Sequence, residues 1–347
     1  MRFYNNTHPF YCGIDLHARS LYVCIIDQAG KVLIHKEIPD DANKLEQLLS
    51  PYIGDIVVGV ECMHCWYWVS DFCNSINVDF ILGHALYMKA IHGGKAKNDR
   101  IDSHKIAQLI RGGNFPLAYV YPKDMRATRD LLRRRTKIVR HGANLKAHVA
   151  NTTSQYNLPP HTVNLKNVCA REQLKSTFPD PVVQRNIDLD MALLDSYAKE
   201  LRKIEWFISQ QAKQHKPIYF KLLNAIHGIG PILSLTIIYE IGHIDRFENV
   251  QKFASYARLV KCKAESAGKS YGTQGNKIGN ANLKWAFSEA AALHLRGNDK
   301  AKNYIQQLQK RMSKAKAMSV LAHKLGRCVY YMLKKEKPFD ELRFLKS

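Results

Sequence analysis

The N-terminal third of the chain alternates short apolar runs with polar turn-forming clusters, a pattern that predicts strands. FYCGIDLHARSLYVCIID reads as an apolar strand, a short polar turn and a second apolar strand. Residues 28–31, QAGK, supply turn chemistry before a third strand, VLIHKEI. DIVVGVE is a continuous apolar run, as expected of a strand buried on both faces. Helices are predicted at DANKLEQLLS, at the aromatic-rich WYWVSDFCNS and at NDRIDSHKIAQLI, with a further strand at VDFILG. Strands first and βαβ order afterwards indicate a mixed α/β sheet of the ribonuclease H type. GGNFPLAYVYP has no helical period and carries two prolines, which places a domain boundary near residue 118.

Beyond that boundary the period becomes helical. A long amphipathic helix is predicted from Lys123 to about Tyr156, because Pro159-Pro160 cannot continue it. A second long helix is predicted from about Val183 to Gln214, with apolar residues at Leu189, Leu193, Leu194, Tyr197, Leu201, Ile204 and Ile208. That spacing favours a helical hairpin or coiled coil, so residues 119–215 read as a helical spacer or an oligomer contact. In residues 216–347, FKLLNAIHGIGPILSLTIIYEIG has the form of a helix-hairpin-helix. Its Gly228 and Gly230 would let backbone amides approach a phosphate. A helix, a loop rich in Gly, Ser and Lys, and another helix starting near Asn280 follow.

Composition narrows the class. At 347 residues and 46% hydrophobic content the chain suffices for two or three folded domains. No run approaches the roughly eighteen apolar residues of a membrane span, and no apolar signal core precedes the first strand. A cytoplasmic protein without a membrane partner is expected. The eight cysteines then read as reduced, mostly buried thiols. Cys62 and Cys65 have CxxC spacing with Cys73 nearby, but no second pair completes a zinc site, so packing is the expected role.

The formal charge of +22 is unevenly placed. Residues 1–118 carry 11 Lys/Arg against 12 Asp/Glu, while residues 119–347 carry 41 against 18. The basic half suits a polyphosphate partner. Arg133, Arg134, Arg135, Lys137 and Arg140 crowd a few helical turns in LLRRRTKIVR and are candidate nucleic-acid contacts.

The near-neutral first segment holds four carboxylates of interest. Asp15 lies on the first strand, Glu61 closes the buried DIVVGVE run, and Asp99 and Asp102 share one side of a helix. Acids at the ends of buried strands are costly unless compensated, and a divalent cation is the usual compensation. Ser266 lies in Glu-Ser-Ala-Gly-Lys, with Lys263, Lys269 and Lys277 close by. A serine hydroxyl is a poor nucleophile until its proton is removed or its oxygen is bound. From the residues alone, Ser266 is more simply a turn residue.

GIDLH, VVGVE, KNDRID, the HGIGP turn and the ESAGK loop together resemble the DEDD insertion-sequence transposases, a group that includes the Piv invertase and the bridge-RNA-guided recombinases. The resemblance covers nearly the whole chain. It implies a RuvC-like domain over 1–118, a coiled-coil spacer over 119–215 and a mostly helical transposase domain over 216–347. It implies that Asp15, Glu61, Asp99 and Asp102 bind one or two Mg²⁺ ions and that Ser266 attacks DNA. It further implies a structured guide RNA and a homo-oligomer, a dimer or tetramer. The family commonly has Gly-Gly after this serine, where this chain has Ala267-Gly268, so Ser270 stays open as the alternative nucleophile. Two rivals use the same residues differently. A junction resolvase or nuclease would use water and leave Ser266 idle, and a nucleic-acid-binding protein would keep the acids as structural groups only.

Overall fold

The computed structural model describes residues 2–92, 98–160, 165, 167–266, 269–274 and 278–344, with the backbone alone at 90, 92, 212–214, 262–266, 270–274 and 342. The chain divides into two compact units, Met1–Lys123 and Asp124–Ser347.

The first unit is a five-stranded mixed sheet covered by helices. Strands β1 (Phe10–Leu16), β2 (Ser20–Asp27) and β3 (Val32–Pro39) form an antiparallel meander. Helix α1 (Ala42–Leu49) leads to β4 (Ile56–Glu61), and α2 (Trp66–Ser75) leads to β5 (Asp79–Gly83). Both of these strands run parallel to β1, giving the order β3-β2-β1-β4-β5. Helices α3 (Ala85–His92) and α4 (Asp99–Arg111) complete the unit. The expected mixed α/β unit is present, and α3 is an addition that the apolar pattern did not announce.

Alternation of side chains along the central strands builds two cores. Cys12, Ile14, Leu16, Val58 and Val60 pack with Leu45, Leu48 and Leu49 of α1 and Trp66, Val69 and Cys73 of α2. Tyr11, Val57 and Ile81 pack on the other face with Ile106, Ala107, Leu109 and Ile110 of α4. Because both faces of β4 are covered, its apolar run is unbroken.

The second unit begins with two long helices joined at their far end by a short one: α5 (Lys123–Gln155), α6 (Val168–Ser176) and α7 (Pro181–His215). Helices α5 and α7 run antiparallel, as the pairs Arg135–Glu205 and His148–Asp190 record. The helical hairpin is therefore formed, with Leu194, Tyr197, Leu201, Ile204 and Ile208 of the expected stripe buried or half-buried and only its first two residues turned outward. Leu189 and Leu193 are exposed, while Val183, Ile187 and Met191 are buried against Val149, Leu174 and Phe178. The packed face of α7 thus starts at Val183, Ile187 and Met191 and continues through Leu194 to Ile208.

A helical body follows: α8 (Pro217–Asn224), α9 (Pro231–Ile241), α10 (Val250–Tyr256), α11 (Ala281–His294), α12 (Asp299–Gln309), α13 (Lys314–Lys335) and α14 (Glu341–Phe344). Residues Leu233–Ile241 of α9 are all buried, so this helix is central to the body. Between α10 and α11 the chain forms an antiparallel ribbon, β6 (Cys262–Ser266) and β7 (Lys269–Gln274), where a loop was expected. Gly, Ser and Lys dominate its composition and masked its short polar strands. Among the described residues no helix is long and apolar enough to cross a membrane. Seven described cysteines are free thiols, with only Cys12, Cys24 and Cys73 buried, fewer than expected.

Candidate metal centre

The sheet itself delivers the first two acids to one edge. β1 and β4 run parallel with Ile14 opposite Val60, so Asp15 and Glu61 come next at the carboxyl ends of adjacent strands. Two residues earlier, Gly13 and Gly59 lie opposite each other beneath α4. The period of two therefore carries Asp15 and Glu61 to the α4 face as well.

Helix α4 supplies the other two. It starts at this edge, where Asn98 caps it by accepting the Ile101 amide at 2.8 Å, and Asp99 and Asp102 occupy its first turn. The amino end of a helix carries partial positive charge, which suits anionic side chains there. His35 of β3 holds the same turn down. Its Nε2–H donates to the Arg100 carbonyl at 2.8 Å, and the Ser103 hydroxyl donates to that carbonyl at 3.0 Å.

Three groups converge closely. Ligand atoms of Asp15, His17 and Asp99 all lie within 4.8 Å of one another. His17 Nε2 stands 3.4 Å from Asp15 Oδ2 and 3.2 Å from Asp99 Oδ1. Glu61 and Asp102 occupy the same edge but fall outside this trio; Asp102 Oδ1 is 3.5 Å from Lys105 Nζ. Burial raises the Asp15 carboxyl above its ordinary range; His17 opposes that, and the charges of Asp99 and Asp102 push it further up. The repulsion that Asp99 and Asp102 exert on Asp15 is what a cation would relieve.

The 3.2 and 3.4 Å separations are of the order found between neighbouring ligands of one divalent ion, so these side chains could hold a cation between them. Among the described residues no other group of three or more His, Cys, Asp or Glu side chains comes as close, Cys62, Cys65 and Cys73 included.

His17 and His35 were not singled out by sequence reasoning. The available signal for His17 was its place two residues after Asp15, hence on the same side of the strand. For His35 there was none, since its partner lies 65 residues away.

The remaining candidates belong to the second unit. Ser266 ends β6 opposite Lys269, and Ser270 pairs with Glu265. Lys263 lies opposite Thr273, Lys269 is exposed, and Lys277 lies outside the described residues. Of the α5 cations, Arg133 donates to Glu240 at 2.6 and 2.9 Å, and Arg135 donates to Glu205 at 2.8 and 2.7 Å. Arg133 stays exposed while pairing with buried Glu240, Arg135 and its partner Glu205 are half-buried, and Arg134, Lys137 and Arg140 are exposed. At the HGIGP turn, Gly228 has φ +90°, and a side chain there would meet the His294 backbone at 2.5 Å. Packing against α11 accounts for that glycine. Gly230, which opens α9, has free space around it.

Comparison with known families places both units. A DEDD transposase model of IS110 type, described as Transposase, matches residues 12–158, and a model described as Transposase IS116/IS110/IS902 family matches residues 220–306. The first match spans all four acids and the second spans Ser266. No curated protein matches the chain.

Proposed function

The chain belongs to the IS116/IS110/IS902 transposase family, and from that premise we propose that it cuts and rejoins the DNA of an insertion sequence by metal-dependent transfer through a serine. The family carries DNA transposase or recombinase function, and the first unit is read as a RuvC-like, ribonuclease H-type domain. The observation that carries the mechanism is the convergence of Asp15 and Asp99 with His17 at the carboxyl edge of the sheet, with Glu61 and Asp102 on the same edge.

In this reading Asp15, Glu61, Asp99 and Asp102 hold one or two Mg²⁺ ions, which when bound polarise the scissile phosphate and favour ionisation of the attacking hydroxyl. Ser266 Oγ loses its proton and attacks phosphorus. The Oγ–P bond forms as the bond to a deoxyribose oxygen breaks, and that oxygen takes up a proton. Bond energy is retained in the phosphoserine link, so a new DNA hydroxyl can displace the serine without ATP. Lys263, Lys269 and Lys277 would hold the phosphate, and Ser270 is the alternative nucleophile.

DNA backbone and a structured guide RNA would lie against Arg134, Lys137 and Arg140 of α5 and the open start of α9 at Gly230. A homo-oligomer, with the α5–α7 hairpin as the contact, completes the reading. The second unit's excess of cations supports these partners.

The test is a stalled reaction on DNA carrying the element ends. Wild-type protein should yield a denaturant-resistant DNA adduct whose linked peptide contains Ser266, and Ser266→Ala should bind DNA without forming it. Cleavage and joining by Ser266→Ala, with no adduct in wild type, would take the attack away from Ser266 and leave Ser270 or water as the nucleophile. RNA that co-purifies and is required after RNase treatment would establish the guide; full activity without it would remove that part alone.

A further inference from the structure

The four acids leave out the group that physically links two of them. We propose that His17 is a nitrogen ligand to the metal, making this centre a mixed carboxylate–imidazole site that prefers Mn²⁺ or Co²⁺ to Mg²⁺. The proposal rests on the metal-dependent reading above and adds a residue outside the acidic quartet.

Three observations carry it. First, His17 Nε2 lies 3.4 Å from Asp15 Oδ2 and 3.2 Å from Asp99 Oδ1, close to the spacing of neighbouring ligands around one ion. Second, the backbone brings the ring there. Leu16 is buried at the end of β1, and the His17 amide donates to the Ser20 carbonyl at 3.1 Å across the turn into β2. The side chain thus emerges at a defined place rather than from a loose loop. Third, the His17 side chain is 45% exposed, so burial against neighbouring groups does not explain its position; the two carboxylates do.

A neutral imidazole adds a donor without adding negative charge. That matters where Asp99 and Asp102 already raise the Asp15 carboxyl. It also changes which ion is preferred. Carboxylate and water shells suit Mg²⁺, whereas imidazole nitrogen binds later divalent metals more strongly, in the order Mn²⁺ below Co²⁺. Asp102, beside Lys105, lies outside the trio and is left to complete the shell or to face a second ion.

Mn²⁺ binding by the full-length protein, followed by pulsed electron paramagnetic resonance, tests the assignment without reference to activity. Wild type should show ¹⁴N coupling to bound Mn²⁺. His17→Ala should lose that coupling and about tenfold or more in Mn²⁺ affinity, with a smaller change for Mg²⁺. Asp99→Asn should weaken both ions, because it replaces a charged carboxylate ligand by a neutral amide. Bound Mn²⁺ with no ¹⁴N coupling, or coupling and affinity unchanged in His17→Ala, would overturn the His17 assignment while leaving the acidic site standing. Mn²⁺ affinity indifferent to both Asp15→Asn and Asp99→Asn would instead sink the metal reading and this proposal with it.

Discussion

Gly13 and Gly59 face each other across β1 and β4, and α4 fills the space their side chains would take. A methyl at Gly13 would lie 2.3 Å from the Ser103 carbonyl oxygen and 2.4 Å from the Ala107 amide nitrogen, both backbone atoms. One at Gly59 would meet the tip of the Ile110 side chain at 2.4 Å. Both methyls press on α4, but only one presses on its main chain.

Gly13→Ala should therefore cost at least about 1–3 kcal/mol by urea denaturation, because the helix must lift off the sheet. Its metal affinity should fall as well, since Asp99 and Asp102 ride on the displaced helix. Gly59→Ala should be milder on both counts, as Ile110 can turn aside. Equal losses in the two variants would mean that α4 is not seated on β1 as described.

Asp15 gives a pH-dependent test in metal-free buffer. Burial, reinforced by Asp99 and Asp102 and opposed by His17, raises its carboxyl in the folded state. A raised value contributes stability below the unfolded range, around pH 4, that is lost as pH rises through the folded value. Asp15→Asn should accordingly be more stable than wild type at pH 7 in chelator, with the advantage shrinking toward pH 4. Added divalent metal should raise the melting temperature of wild type and leave the variant nearly unchanged. A pH-independent difference would contradict this account.

Glu240 titrates in the opposite sense. Burial would raise it, but hydrogen bonds and charge from Arg133, the charge of Arg129 and a hydrogen bond from Asn280 hold it below its ordinary range. Stability from such a group is present above the unfolded value and lost as pH falls through the folded one. Glu240 is 2% exposed, so Glu240→Gln, which removes the charge that faces Arg129 and Arg133, should cost about 1–3 kcal/mol at pH 7. Its stability should also decline less than that of wild type between pH 5 and 3. Chemical denaturation across that range decides it.

The α5 cations should separate into two classes. Replacing Arg134, Lys137 or Arg140 with alanine should leave the melting temperature unchanged. Each such replacement should lower the salt dependence of DNA binding by about 0.9 log units for every phosphate no longer neutralised. Arg133→Ala and Arg135→Ala should act first on stability, because each breaks an ion pair to Glu240 or Glu205. Uniform effects across all five would show that the pairs to Glu240 and Glu205 do not distinguish them.

Much of this architecture could be read from the sequence. The strands of the first unit announce themselves because each is an apolar run between turn residues, and α5 ends just short of Pro159-Pro160, with Asn157 in the left-handed region closing its last turn. What escaped depends on partners distant in sequence. The buried stripe of α7 was chosen by α5 and α6, so Leu189 and Leu193 point outward against expectation. Arg133 reads as a surface cation until folding brings Glu240, 107 residues on, against it. At the site, Asp15 and Asp99 were legible as chemistry, but His17, though inside GIDLH, was given no role.

The α5–α7 hairpin, finally, has a fixed length and a fixed phase. Its arms of 33 and 35 residues each run about 50 Å, the axial length of roughly fifteen base-pair steps. An arm made of helix has phase as well as length. Seven residues removed from each arm would draw the tip in by about 10 Å yet rotate it only about 20°. Three residues removed would shorten it less but swing its face by about 60°. Anything bound at the tip is thus addressed by distance and by angle together, and the two can be altered independently by the number of residues taken out.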